Sequence, residues 1–278
     1  MVNRLSVAGV LGKVFMWTFL LGLVVVVVYP LAWMVLSGLK TNAEIFGNPF
    51  AMPLEWRWEN YAHAWNRGVS DYVSMSVLVT VTSTIATVFI SAWAAYGLSR
   101  VEIPFSRTVL TLVLGGLMLA PAVALIPLVK MMQSLGLYNT FWALLILYTA
   151  FRIPFTTFLI RAYMIDLPRE IDEAAAVDGA SRWLTFWRVI LPMCKPIIVS
   201  TVILHVLFSW NEYLFAMVFT SGAGVQTLPV GLTSLMAKHG TDYPVVFAGM
   251  VIAALPVVLM FFLGQRYFIK GLADGIGK

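Results

Sequence analysis

Glu173-Ala174-Ala175-Ala176-Val177-Asp178-Gly179-Ala180, then Phe186, then Ile190-Leu191-Pro192 and Pro196, is a polar stretch between two long apolar segments. Its spacing predicts two short helices over 166–192, joined at a sharp corner. Asp166 is placed to cap the first helix and Pro168 suits its first turn, while Glu170, Asp172 and Glu173 put negative charge at its positive end. Ala174 to Ala176 continue it with the best helix former. Gly179 stands where helices commonly terminate in a left-handed residue. Ser181 is then expected to cap the second helix and Pro192 to end it. Along that helix Trp183, Phe186, Trp187 and Ile190 recur at i, i+3, i+4 and i+7 as one apolar stripe. Two readings fit this much: a lever rigid at its glycine corner, or an amphipathic loop lying on a membrane surface.

The rest of the chain supplies the membrane. Of 278 residues, 60% are hydrophobic and 11% charged, with mean hydropathy +0.88. A soluble domain carries about 25% charged residues, and only lipid can solvate this apolar excess. Six stretches, 14–37, 73–98, 108–130, 141–163, 197–220 and 245–265, are each long enough to cross a hydrocarbon core of roughly 30 Å as a helix. They are too long and too uniformly apolar for barrel strands, so the expected fold is an all-α bundle of six spans forming one domain. The first run, Val14 to Leu39, is too long for a signal-peptide core and reads as a retained span.

Lys and Arg set the orientation. With a cytoplasmic N-terminus, that side carries Arg4, Lys13, Arg100, Arg107, Arg161, Arg169, Arg182, Arg188, Lys195, Arg266, Lys270 and Lys278. The outer side carries only Lys40, Arg57, Arg67, Lys130 and Lys238. Both termini and the 165–196 loop are therefore expected in the cytoplasm, and the net charge of +5 is a topology signal, not a nucleic-acid patch. Cys194, the one cysteine, excludes an intrachain disulfide and is expected to report on that loop from the cytoplasmic side. In the outer segment 40–72, Trp56, Trp58, Tyr61 and Trp65 read as headgroup-zone anchors or as a platform for an extracytoplasmic partner.

No G-x-x-x-x-G-K-[ST] loop and no H-E-x-x-H occurs, and His63, His205 and His239 are scattered. The chain is thus expected to hydrolyse no ATP and to hold no metal or cofactor.

The combination of Glu173-Ala174-Ala175, Asp178-Gly179-Ala180, Phe186 and Leu191-Pro192 does not follow from amphipathicity. It resembles the EAA loop of maltose-type carbohydrate-importer permeases, the membrane subunits of binding-protein-dependent ABC transporters. The likeness covers nearly the whole chain. Leu36-Ser37-Gly38-Leu39-Lys40-Thr41 and Glu59-Asn60-Tyr61, then Ala95-Tyr96-Gly97-Leu98-Ser99-Arg100, resemble that family's segments in order. So do Leu135-Gly136-Leu137-Tyr138-Asn139-Thr140, Trp210-Asn211-Glu212-Tyr213, and the end Gln265-Arg266-Tyr267 with Lys270-Gly271-Leu272 and Gly275. The resemblance implies a type I importer permease of the MetI-like fold in the inner membrane. Its implied partners are a second permease, two ATPase subunits that bind ATP and Mg, and an extracytoplasmic solute-binding protein that delivers sugar. It further implies that Glu173, Ala174, Ala175, Asp178 and Gly179 couple to the ATPase, with Glu173 and Gly179 at the positions where the loop enters a cleft in it.

Arg152, Asn211 and Glu212 are the candidate pathway residues. A charge at mid-span costs at least about 2.5–3.5 kcal/mol, so Arg152 is expected to face protein or water. It contacts cargo, or it pairs with a carboxylate or carbonyl of a neighbouring helix. Asn211 and Glu212 line the route or form a capping or gating hydrogen-bond pair. Pro121, Pro127 and Pro154 are expected to kink or open their helices. Other cargoes fit the same machine: a polyol, glycerol phosphate or an anionic sugar. A secondary transporter would show inverted repeats with paired broken helices, which are not found, and has no use for an EAA loop.

Overall fold

Two of the expected spans are broken, one at Pro121 and one at Glu212. In the computed structural model, residues 7–101, 103–220, 224–239 and 242–276 are described. Arg4 and Lys278 lie outside the described residues, as do the side chains of Lys238, His239, Gln265, Arg266, Tyr267 and Lys270. Helix α1 is Val7–Ser37, α2 Asn42–Gly47, α3 Glu59–Ala64 and α4 Ser70–Arg100. Then come α5 Ser106–Gly115, α6 Pro121–Ser134, α7 Phe141–Asp166, α8 Glu170–Val177, α9 Arg182–Thr185 and α10 Leu191–Met193. Helices α11 Lys195–Asn211, α12 Leu214–Phe219, α13 Leu228–His239 and α14 Tyr243–Ile276 complete the chain.

Among the described residues four helical segments are long and apolar enough to cross a membrane: Gly12–Ser37, Glu59–Arg100, Phe141–Asp166 and Tyr243–Phe262. Two bent pairs, Ser106–Met118 with Pro121–Ser134 and Arg182–Met193 with Lys195–Asn211, bring the number to as many as six if each pair counts as one span. The expected span 108–130 is Ser106–Met118 followed by Pro121–Ser134, bent by 100°. Proline lacks an N–H and pushes the preceding residue out of the helical region. Accordingly Leu119 and Ala120 are extended, with ψ of 109° and 124°. The expected span 197–220 also breaks, at Glu212, which is extended (ψ 122°) between α11 and α12. Pro127 and Pro154, by contrast, sit inside continuous helices, so only Pro121 of the three expected breakers coincides with a break.

The chain packs as two units, Met1–Gly68 with Ser234–Ala254, and Val69–Thr233 with Leu255–Lys278. In the first unit the buried Lys40 donates through Nζ to Pro49 O at 2.8 Å. Asn60 Nδ2 donates to Gly38 O and Lys40 O at 3.0 Å each. Thr41 and Glu44 form a reciprocal capping box at the start of α2. The N–H of Leu54 also donates to Glu44, and these bonds together hold its carboxyl below the usual carboxylate range. Trp56 and Trp58 stack on each other and remain exposed.

The second unit is built on α4 against α7, with α11 beside both. Small residues on one face of α4 (Ser76, Thr80, Ser83, Thr87, Ser91 and Ala95) are buried and let the backbones approach closely. One apolar cluster joins Val79, Leu144, Leu147, Tyr148, Phe215 and Phe219. A second, at the other end of α4, joins Ala92, Tyr96, Ile160, Met164, Phe186 and Ile190. Between them lies a buried hydroxyl layer. His205 Nε2 meets Ser83 Oγ at 3.1 Å, and Thr80 Oγ1 meets Ser209 Oγ at 3.1 Å. Deleting such a bond inside a span would leave a buried polar atom unpaired, so the layer sets the register of α4 on α11.

Candidate functional site: the helical corner 166–192 and its tether

The corner forms, with changes at its edges: Pro168, expected in the first turn, lies before α8, which begins at Glu170. Asp166 is the last residue of α7 and does not cap α8, whose preceding residue Arg169 provides no side-chain cap. Pro192 lies within α10, and the chain turns at Cys194, where the α9–α10 arm and α11 bend by 76°. Proline in the first turn of so short a helix removes no needed N–H, which is why Pro192 does not stop it. Gly179 has φ +78°, and the N–H groups of Gly179 and Ala180 donate to Ala176 O and Ala175 O at 3.0 and 2.9 Å. This pair of bonds is a Schellman motif, which consumes the last carbonyls of α8. A Cβ at Gly179 would meet nothing within 4 Å, so the corner needs glycine for its dihedral and not for space. Ser181 Oγ accepts from the Leu184 N–H at 3.3 Å, as the sequence predicts.

The stripe on the second arm faces α4. Phe186 and Ile190 are buried, and Phe186 packs on Trp93 and Tyr96 with ring centroids 5.5 and 5.1 Å apart. Trp183 meets Trp93 at 4.8 Å and Trp187 meets Phe89 at 6.0 Å. The arm is therefore docked on a spanning helix through an aromatic ladder.

The opposite face is open. Glu173, Ala174, Asp178 and Gly179 are exposed, Val177 is 88% exposed, and only Ala175 is buried. Among the described residues no ion pair holds Glu173, although four are found elsewhere.

What ties the first arm to the spans is Arg100, which in sequence reads as a cytoplasmic-side charge and as the end of the 95–100 motif. Its side chain is 3% exposed, and Nη1 donates to Asp172 Oδ2 at 2.8 Å. Nη2 donates to Leu167 O at 2.7 Å and to Met164 O. One guanidinium thus caps the carboxyl end of α7 and grips the first turn of α8 from the end of α4. Asp172 reads in sequence only as a favourable charge near a helix start, and no signal along the chain pairs it with a residue 72 positions earlier.

Cys194 is completely buried, so it cannot report on the loop as the sequence suggests. An impermeant thiol reagent is expected to leave it unlabelled from either face of the folded protein, with labelling only after denaturation. Ready labelling of native protein would contradict this packing.

The pathway candidates are Arg152 on α7, Asn211 at the end of α11 and Glu212 just after it. Glu212 accepts from the backbone N–H groups of Phe215 (2.9 Å) and Ala216 (3.1 Å) and from the Tyr148 hydroxyl at 2.9 Å. It stands one residue before the N-cap Tyr213, which makes no side-chain cap of its own, and so does the capping for α12. Asn211 Nδ2 donates to Leu207 O at 2.7 Å in its own helix, with the residue exposed. Arg152 pairs with no carboxylate among the described residues. Its guanidinium lies over Phe208 and Phe155, 4.5 and 4.8 Å from the ring centroids, and its buried Nε lacks a hydrogen-bond partner. Cation–π contact offsets part of the cost of a charge in a span. Tyr148 and Arg152 are one turn apart on α7, Phe208 lies on α11 four residues before Glu212, and the two helices meet here through the Tyr148–Phe208 ring contact at 6.2 Å.

Among the described residues no group of three or more His, Cys, Asp or Glu could hold a metal ion. Residues 87–273 match the family described as binding-protein-dependent transport system inner membrane component. The chain belongs to this family. Over 268 residues the permease is 45% identical to the probable ABC transporter permease protein YurM of Bacillus subtilis, covering 96% of this chain and 89% of that one. It is 34% identical to the diacetylchitobiose uptake system permease protein NgcG of Streptomyces coelicolor, over 90% of this chain and 84% of that one. Its fold matches a chain of a bacterial ABC transporter that imports the acidic polysaccharide alginate. The TM-score is 0.81, at 22% identity, with 96% of the permease and 99% of that chain covered. The permease is the membrane component of an ABC transporter and is not itself catalytic.

Proposed function

We propose that the permease is a transmembrane subunit of an ATP-driven sugar importer in the cytoplasmic membrane of a bacterium or archaeon. In this reading the chain is one permease domain that forms half of a translocation pathway with a second, homologous permease. Both termini and the 166–192 corner face the cytoplasm, where the corner docks on one of two ATP-binding cassette subunits that bind ATP and Mg. A solute-binding protein delivers sugar from outside. No nucleic acid is involved.

The observation that carries the reading is the two-sidedness of the corner. Its inner side is clamped to α4 and α7 by Arg100 and the aromatic ladder. Its outer side presents an exposed carboxylate and exposed apolar surface around Gly179. A rigid element held this way passes displacement of a docked ATPase directly to two spanning helices. The test is ATP hydrolysis by the reconstituted complex, stimulated by sugar-loaded binding protein. Glu173→Ala removes a charge-assisted contact, and Gly179→Val forces a branched side chain into a left-handed backbone. Both variants are expected to insert normally yet to bind the ATPase weakly or hydrolyse ATP without transport. Normal transport by either, at normal expression, sinks the coupling role of that residue.

The relatives' cargo favours a carbohydrate, and Arg152 favours a second reading within that class, an anionic sugar. Its guanidinium is stacked between rings with no carboxylate partner among the described residues. Arg152→Met is expected to cut uptake of an anionic sugar strongly and of a neutral one only through packing. Equal losses for both would remove the charge-recognition role.

A further inference from the structure

A cavity of about 640 Å³ lies beside the coupling corner, within the second packing unit. Val81, Val88 and Phe89 of α4 form one wall, and Val202 and Val206 of α11 the other. Trp187 and Pro192 of the corner close one end, and Lys195 is the only charged residue lining it. Thr84, also in the lining, spends its hydroxyl on Thr80 O at 2.6 Å, so the walls offer a ligand almost nothing polar.

We propose that this groove seats an acyl chain of an anionic phospholipid, whose phosphate rests on Lys195. Length, charge and position agree. From Val81 to Ala92 on α4, and from Lys195 to Val206 on α11, the lining runs eleven helical steps, about 16 Å at the helical rise. One leaflet of the hydrocarbon core is about 15 Å deep. At the deep end Thr80 of α4 meets Ser209 of α11, and at the shallow end Phe89 of α4 meets Trp187 of the corner. Lys195, the first residue of α11, is exposed and belongs to no ion pair among the described residues. An apolar helix from a partner would fill the groove but would offer that ammonium nothing, whereas a phosphate would. The membrane reading above puts this end of the groove at the cytoplasmic surface, where anionic lipids attract basic side chains. The bound chain would pack on Trp187 and so brace the aromatic ladder behind the corner.

The test uses the intact importer, with second permease and ATPase subunits, extracted from vesicles of mixed phosphatidylcholine and phosphatidylglycerol and weighed by native mass spectrometry. Wild type is expected to retain phosphatidylglycerol in preference to phosphatidylcholine. Lys195→Gln should lower that retention about fivefold, the effect of one lysine at an anionic surface, without changing phosphatidylcholine. Val88→Trp and, from the opposite wall, Val202→Trp should each abolish it. The proposal is overturned if either filled groove keeps its lipid, if Lys195→Gln changes nothing, or if the tryptophan variants lose the second permease. That last result would assign the groove to a partner helix. Glu173→Ala, expected to fail in coupling, should retain lipid normally, so this proposal and the coupling reading fail separately.

Discussion

Replacing Arg100 with methionine is expected to uncouple the permease while leaving it in the membrane. The buried guanidinium holds three parts at once: the end of α4, the carboxyl end of α7 through the carbonyls of Met164 and Leu167, and α8 through Asp172. Methionine fills similar space but leaves those carbonyls and the Asp172 carboxylate without their donor. Removing one partner of a buried pair costs about 3–5 kcal/mol, and Asp172, 26% exposed, recovers part of that from water. A loss near 3 kcal/mol is about a hundredfold in any equilibrium that keeps α8 seated. Transport in vesicles should therefore fall by about tenfold or more while the ATPase still binds through the exposed face of the corner. Asp172→Asn keeps an acceptor and should be milder, and Arg100→Lys should restore little, because one ammonium cannot reach all of these oxygens. Wild-type transport by Arg100→Met at wild-type expression would show that the tether transmits nothing.

Glu212→Ala is expected to be the most destabilising change at the junction of α11 and α12. The carboxylate satisfies two backbone donors at the start of α12 and the hydroxyl of Tyr148, which is fully buried. Loss of a cap costs about 1 kcal/mol, and leaving a buried donor short of its partner about 1–3 kcal/mol more. A fall in the thermal midpoint of the purified permease by several degrees should follow. Glu212→Gln keeps one acceptor oxygen and should lose less. Tyr148→Phe removes the phenol donor, so adding it to Glu212→Ala should cost little further. Independent, additive losses would mean that the hydrogen bond contributes nothing in the membrane.

Glu212 shows where reading along the chain stops. Its sequence neighbours suggest a polar pair in a span, and capping was one of the two readings they allowed. What makes it a cap is the extended backbone at that residue, and what adds the third bond is α7, 64 positions earlier. Arg152 is similar. Its cost in lipid is readable from its place in an apolar run, but the choice of partner is not, and the partners are aromatic rings instead of a carboxylate.

Local chemistry settles the elements. The apolar runs imply spanning helices because lipid leaves the backbone no alternative, Gly179 implies the corner because only glycine enters the left-handed region freely, and Ser181 implies the second cap. The order of motifs from Leu36 to Gly275 implies the family. Tertiary packing alone decides which face of the corner is buried, since an apolar stripe fits a lipid surface as well as the aromatic face of α4. It alone makes Cys194 inaccessible and brings Arg100 to Asp172 across 72 residues. Periodicity records that a side chain needs a partner; only the packed helices supply one, because the groups that satisfy it arrive from elsewhere in the chain.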